Sequence, residues 1–289
     1  MALYTITSGQ QFGAVTRRMV NMGLSLPDSV VGEGMGWYPT VHDTVARQAP
    51  DVGLSASQGA GVVAALSPNM EFENRNIKVL EQVGNVPREG WDMIAVSANR
   101  RSPAGKLMPR LPEVSAMLEE TAPVLSGTYD QSLFKAHRIM SGEEWRDVLS
   151  MQTAPKTATF AHNIEDPSSL GVTIDGRSGD VVANTRRPWD FTRGISSAQT
   201  KTGVETRYET HQRAHIAARN RLVSLDPRYA GATPKDVQAA LWMGGRGIER
   251  SQLTKTGMQR TDGDPRIGQP YVTPSGRPLE RDSRFWEQA

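Results

Sequence analysis

The sequence contains no cysteine, which excludes disulfides, thiolate nucleophiles, zinc ribbons and Cys-ligated iron–sulfur clusters. No apolar run approaches the roughly 18 residues of a membrane span, and the opening MALYTITSGQQFG lacks a signal-peptide core. There is no Gly-x-Ser-x-Gly elbow, no Walker A loop and no dinucleotide fingerprint. These absences lead to the expectation of a soluble, cytoplasmic protein with no membrane contact, no disulfide-linked partner and no implied cofactor. The 289 residues suffice for one large domain or two small ones. With 37% hydrophobic and 22% charged residues, the chain lies well outside the disordered class.

Charge of either sign is nearly balanced, at a formal +2, but lysine is scarce, 7 against 26 arginines. Arginine suits bidentate phosphate contacts, and a GC-rich genome produces the same bias. Between Arg186 and Arg221 there are eight Lys/Arg and three Asp/Glu. Such a segment reads either as an electrostatic footprint for nucleic acid or as a solvated helix face. The histidines are His42, His137, His162, His211 and His215. Only His211 and His215 have metal-ligand spacing, and no Glu stands beside His211 as in a metalloprotease helix, so both are read as core or groove residues and no metal is expected.

Helical patterns dominate. A short helix is expected over Gly13–Met22, then a turn-rich stretch at Gly32–Gly36. Val41, Val45 and Ala49 recur at helical spacing up to Pro50. Gly59–Leu66 is small and apolar on every side, the mark of an interior helix ended by Ser67-Pro68. Helical spacing resumes through Ile77 and Leu80, and residues 84–112 read as loop with a strand at Met93–Val96. Further helices are expected at Glu113–Glu120 and Gln131–Met140. Ser141–Glu144 then reads as a capping box that opens a helix burying Trp145, Val148 and Leu149. Another covers Lys156–Ile164. A long helix with Tyr208, His211, His215, Ala218, Leu222 and Leu225 on its buried stripe follows, then one from Thr233-Pro234 to Gly244-Gly245 with Val237, Ala240 and Leu241 inward. The fold class is therefore mainly α. The expected division is an N-terminal extension over 1–30, a helical domain over 31–250, and an irregular tail over 251–289.

Three segments in order resemble the helix-hairpin-helix DNA glycosylase superfamily, the endonuclease III-like group. The first is Gly61-Val-Val-Ala-Ala-Leu66-Ser67-Pro68-Asn69 followed by Asn74 to Leu80, similar to a buried helix ending in Leu-Ser-x-Gln. The second is Lys156-Thr157-Ala158, similar to the Lys-Thr-Ala after the hairpin glycines. The third is Val172-Thr173-Ile174-Asp175, similar to the segment that carries the catalytic Asp. Lys156 and Asp175 are 19 positions apart, close to the family's interval. Two departures stand out. The family's Leu-Pro-Gly-x-Gly is here Met151-Gln-Thr-Ala-Pro155, without the glycines that admit a phosphate. The His after the family's Val-Asp-Thr is here Arg177. The resemblance implies a two-lobed helical domain with a degenerate hairpin, acting on double-stranded DNA by flipping out a base.

By that resemblance Asp175 is the carboxylate beside the sugar and Lys156 the Schiff-base amine of strand-cutting members. Asn69 is the wedge that fills the gap left by the flipped base. Arg186, Arg187, Arg207, Arg213 and Arg246 are candidate phosphate contacts, and Trp37 and Tyr38 a candidate base pocket. Each has a plainer alternative. Asp175-Gly176 between apolar runs also reads as a hairpin turn, Lys156 as a surface lysine, Asn69 as a helix end, and Trp37-Tyr38 as a packing anchor. Three functions remain open: a DNA N-glycosylase with or without lyase activity, an enzyme of DNA base hypermodification such as relatives in phage genomes, and a non-catalytic DNA-binding or assembly protein that keeps the fold.

Overall fold

The computed structural model describes residues 9–68, 78–152, 154–175, 178, 181, 201–202, 205–244, 271–272 and 278–279. Over these residues the chain is mainly helical. The helices are α1 (Gly9–Ser25), α2 (Asp28–Gln48), α3 (Ala56–Leu66), α4 (Val79–Asn85), α5 (Arg88–Asn99), α6 (Pro112–Thr121), α7 (Pro123–Ser126), α8 (Asp130–Met140), α9 (Trp145–Val148), α10 (Pro155–Glu165), α11 (Arg207–Leu225) and α12 (Pro234–Gly244). Single 3-10 turns lie at Pro50–Val52 and Pro227–Tyr229. Strand among the described residues is limited to two short antiparallel pairs, Lys201–Thr202 with Glu205–Thr206 and Tyr271–Val272 with Pro278–Leu279.

The chain divides into two compact units. One takes the segments Met1–Tyr38, Met151–Thr159 and Ser168–Ala289; the other takes Pro39–Ser150 and Phe160–Pro167. Residues 30 and 31 both lie within α2. Within the first unit α1 packs on α11 and α12, and Val15, Met19, Val20 and Met22 are buried.

In the second unit, α3 packs on α8, α4 and α9, while α5 packs on α8 and α6. Residues Gly59 through Leu66 are all buried, as their all-round apolar character requires. Ser55 starts α3 with a capping box: its hydroxyl accepts from the Gln58 amide at 3.1 Å, and the Gln58 side chain accepts from the Ser55 amide at 3.0 Å. A Cβ on Gly61 would land on the Cβ of Trp145, so the glycine is what lets that indole pack against α3. The core adds Leu80, Ile94, Leu118, Leu125, Leu133 and Ile139.

Several local expectations are overturned. Met93–Val96 is helix, not strand: Trp91, Ile94 and Ala98 share one buried face of α5 at helical spacing. Gly32–Gly36 is the interior of α2, not a turn. A Cβ on Gly34 would overlap the backbone of Ala240 in α12, and this close approach outweighs the roughly 1 kcal/mol helix penalty of a glycine. Ser141 caps no helix start. It follows the last residue of α8, its amide donates to His137 O at 2.9 Å, and Gly142 turns the chain at φ 100°. Glu143 ion-pairs with Arg138, and α9 begins after Glu144 without a side-chain cap. Trp145, Val148 and Leu149 are buried as expected, whereas Leu225 is 60% exposed at the end of its helix.

Candidate functional site

The segment bearing Asp175 has no regular secondary structure over residues 171–175, so the described residues form no first strand of a hairpin. The side chains of Val172 and Ile174 are buried with Tyr208 in one apolar cluster. The backbone between them cannot form a ladder there and must find donors and acceptors elsewhere. Helix α11 supplies them. The Tyr208 hydroxyl accepts from the Ile174 amide at 3.2 Å and lies 3.2 Å from Val172 O and 3.4 Å from Pro155 O, either of which can take its proton. One helical turn on, the Gln212 amide nitrogen donates to Val172 O at 2.9 Å. Tyr38, from α2, donates to Thr173 Oγ1 at 3.2 Å, with Gln238 Oε1 as a second acceptor at 3.4 Å.

Asp175 itself pairs with Ser178. Its Oδ1 accepts from the Ser178 amide at 2.8 Å and from the Ser178 hydroxyl at 3.1 Å, the local pattern of an N-cap aspartate. Among the described residues no donor reaches Oδ2. Lys156 stands second in α10, half-buried, and makes no hydrogen bond or ion pair among the described residues. The residues just before the two candidates, Pro155 and Ile174, thus share one buried hydroxyl.

The surroundings are polar yet buried. Burial pushes the Tyr208 hydroxyl up to about 12, so it stays protonated throughout the physiological range. His215 is 1% exposed, and its Nδ1 lies 2.9 Å from His211 O. A carbonyl can only accept, so Nδ1 carries the hydrogen and Nε2 is the free lone pair. Burial pulls His215 down to about 4, against the hydrogen bond to His211 and the charge of Asp175, which favour the protonated form. Lys235 is fully buried, with its ammonium 5.5 Å from the centroid of the Tyr38 ring.

Of the residues expected at a site, Asp175 and Lys156 each follow a residue whose backbone reaches the Tyr208 hydroxyl, Ile174 and Pro155. Trp37 and Tyr38 are not a base pocket in this structure. Each is 2% exposed, and they meet edge to face at 4.7 Å, so an extruded base has no open ring face to stack on. They are the packing anchor. Asn69, Arg186, Arg187 and Arg246 lie outside the described residues, and of Arg207 only its place at the start of α11 is described. Arg213 is exposed on α11, with its guanidinium 5.6 Å from the centroid of the Phe12 ring.

Sequence reasoning missed Tyr208, Gln212, Thr173, Gln238 and Lys235. Two signals were available. Tyr208 and Gln212 stand at i and i+4, on one helix face, and a lysine in the first turn of a helix runs against the helix dipole, which marks Lys235 as held there for another reason. Among the described residues no group of three or more His, Asp or Glu is placed to hold a metal ion, and no helix is long and apolar enough to cross a membrane. No curated protein and no solved structure matches the chain. A family model described as a family of unknown function, DUF7178, matches residues 1–249, and the chain belongs to that family.

Proposed function

We propose that the protein acts on a base in DNA, most simply as an N-glycosylase of the helix-hairpin-helix kind. The observation that supports this reading is that the residues preceding Lys156 and Asp175, Pro155 and Ile174, both reach one buried hydroxyl, that of Tyr208. The resemblance of their two segments to the glycosylase motifs calls for the two segments to lie side by side. The division into two helical units, one built from the middle of the chain and one from its ends, is in keeping with a two-lobed glycosylase.

In this reaction the bond from the sugar C1′ to the base nitrogen breaks. The base leaves with the electron pair and takes up a proton, and the sugar passes through an oxocarbenium-like state. Water then adds to C1′ and gives up a proton. The carboxylate of Asp175, oriented through Oδ1 by Ser178, offers Oδ2 to the developing positive charge. If Lys156 attacks C1′ in place of water, the amine loses its proton and a covalent imine forms after ring opening, which is the route to strand cleavage.

A non-catalytic DNA-binding protein is favoured by one observation: the connection 149–154 between α9 and α10 contains no glycine. A borohydride-trapping and nicking assay decides between the readings. Duplexes carrying abasic, uracil, oxidised and hydroxymethylated bases are the substrates, with Asp175→Asn and Lys156→Ala in parallel. A trapped adduct that Lys156→Ala abolishes means lyase chemistry. Base release lost only in Asp175→Asn means a monofunctional glycosylase. Silence on every duplex, with salt-sensitive binding intact, contradicts the enzymatic reading and selects the binding protein.

A further inference from the structure

We infer that Tyr208 is the positioning residue of this site, with one buried hydroxyl fixing the Lys156-bearing start of α10 and the Asp175-bearing segment relative to each other. The inference deepens the glycosylase reading and rests on it. Three backbone groups from two separate stretches of chain converge on the oxygen: Pro155 O, Val172 O and Ile174 N, at 3.4, 3.2 and 3.2 Å. A hydroxyl has one hydrogen and two lone pairs. It can therefore accept from Ile174 and donate to one carbonyl at a time; donation to Pro155 O, with the hydrogen bond to the Thr159 side chain in α10, ties the second stretch to α11 as well. Gln212 takes a second hold on Val172 O from the same helix face, so the 172–175 stretch is fastened at two points.

The ring is 2% exposed and packs with Val172 and Ile174, which leaves no route for it to touch DNA. It also stays protonated at physiological pH, so it serves as a fixed donor and acceptor, not as a proton carrier. What it contributes is geometry. A reacting carboxylate displaced by about 1 Å loses on the order of a hundredfold in rate, and the free Oδ2 of Asp175 has no other described partner to hold it in place.

The test compares Tyr208→Phe with Tyr229→Phe in the full-length chain. Tyr229 is also fully buried in the same unit, but its hydroxyl donates to Gly23 O at 2.9 Å, in α1. Tyr229→Phe loses one buried hydrogen bond and Tyr208→Phe at least two. Three quantities are read: thermal stability, single-turnover base release beside duplex affinity, and amide hydrogen exchange by NMR. Tyr208→Phe is expected to slow base release by about tenfold or more with duplex affinity within about twofold. The amides of Ile174 and of residues 157–159 should exchange faster together. Tyr229→Phe should lose some stability as well, keep the wild-type release rate, and leave those amides unchanged.

Equal rates in the two variants, or exchange in Tyr208→Phe no faster than in Tyr229→Phe, overturns the inference. If wild-type protein releases no base from any duplex, the glycosylase reading fails and exchange alone judges Tyr208. Coupled loosening of both stretches then still supports its positioning role, and unchanged exchange overturns it.

Discussion

His215 shows how one buried side chain records its surroundings. In the unfolded chain its imidazole titrates near 6.5, whereas in the folded protein burial holds it neutral down to about 4. Between those values the unfolded state binds the extra proton, so stability rises with pH across the window. The contribution is fully present above about 6.5 and lost as the pH falls towards 4. We predict that urea unfolding of wild-type protein shows this slope and that His215→Gln flattens it. A ring titration near 6.5 by NMR would contradict the assignment. Arg228 makes a second residue-scale case. Its guanidinium holds Asp226 and Asp28 and donates to the carbonyls of Leu24 and Leu26 at 3.0 and 2.6 Å. Arg228→Ala therefore breaks the tie between the Pro227–Tyr229 turn and the α1–α2 connection. The expected loss is about 2 kcal/mol, read as a lower urea midpoint with an unchanged slope.

At the level of elements, apolar periodicity was the dependable signal. The helices around Val62, Leu133, Ile164, Leu222 and Leu241 lie where their patterns place them, because a helix that must bury one face writes that face into its sequence. The failures have different causes, and only one is a contact made far away in sequence. Gly34 reads as a turn residue until the backbone of Ala240 lies against it. Ser141 and Glu144 fit a capping box, but the amides around Ser141 are already satisfied by the carbonyls that end α8. In α5, the helical stripe of Trp91, Ile94 and Ala98 was hidden by the loop-forming residues around it. Gly34→Ala is predicted to cost about 2 kcal/mol through overpacking against α12. Gly36→Ala, with nothing within 4 Å of the added carbon, should be neutral or slightly stabilising. Equal midpoints for the two variants in urea unfolding would contradict the close approach.

For the molecule as a whole, the site was only half legible. Lys156 and Asp175 could be picked out because motif order and spacing survive in sequence. Tyr208, Gln212 and Lys235 carried only weak signals, because what distinguishes them is what they touch, and those partners lie far along the chain. Trp37 and Tyr38 misled for the converse reason: exposed and buried aromatics look alike in a sequence, and only packing separates them. If the proposed activity holds, the excess of positive charge between Arg186 and Arg221 should make duplex binding fall steeply with salt, and Arg213→Ala should reduce the slope by about one ion. A salt-independent affinity would detach that segment from DNA.

The most direct measurement of the central claim is single-turnover base release by wild-type protein and Asp175→Asn, on the same duplex and at matched occupancy. The account predicts that the variant binds the duplex as well as wild type and releases base at least about a hundredfold more slowly. Full release by Asp175→Asn would contradict it.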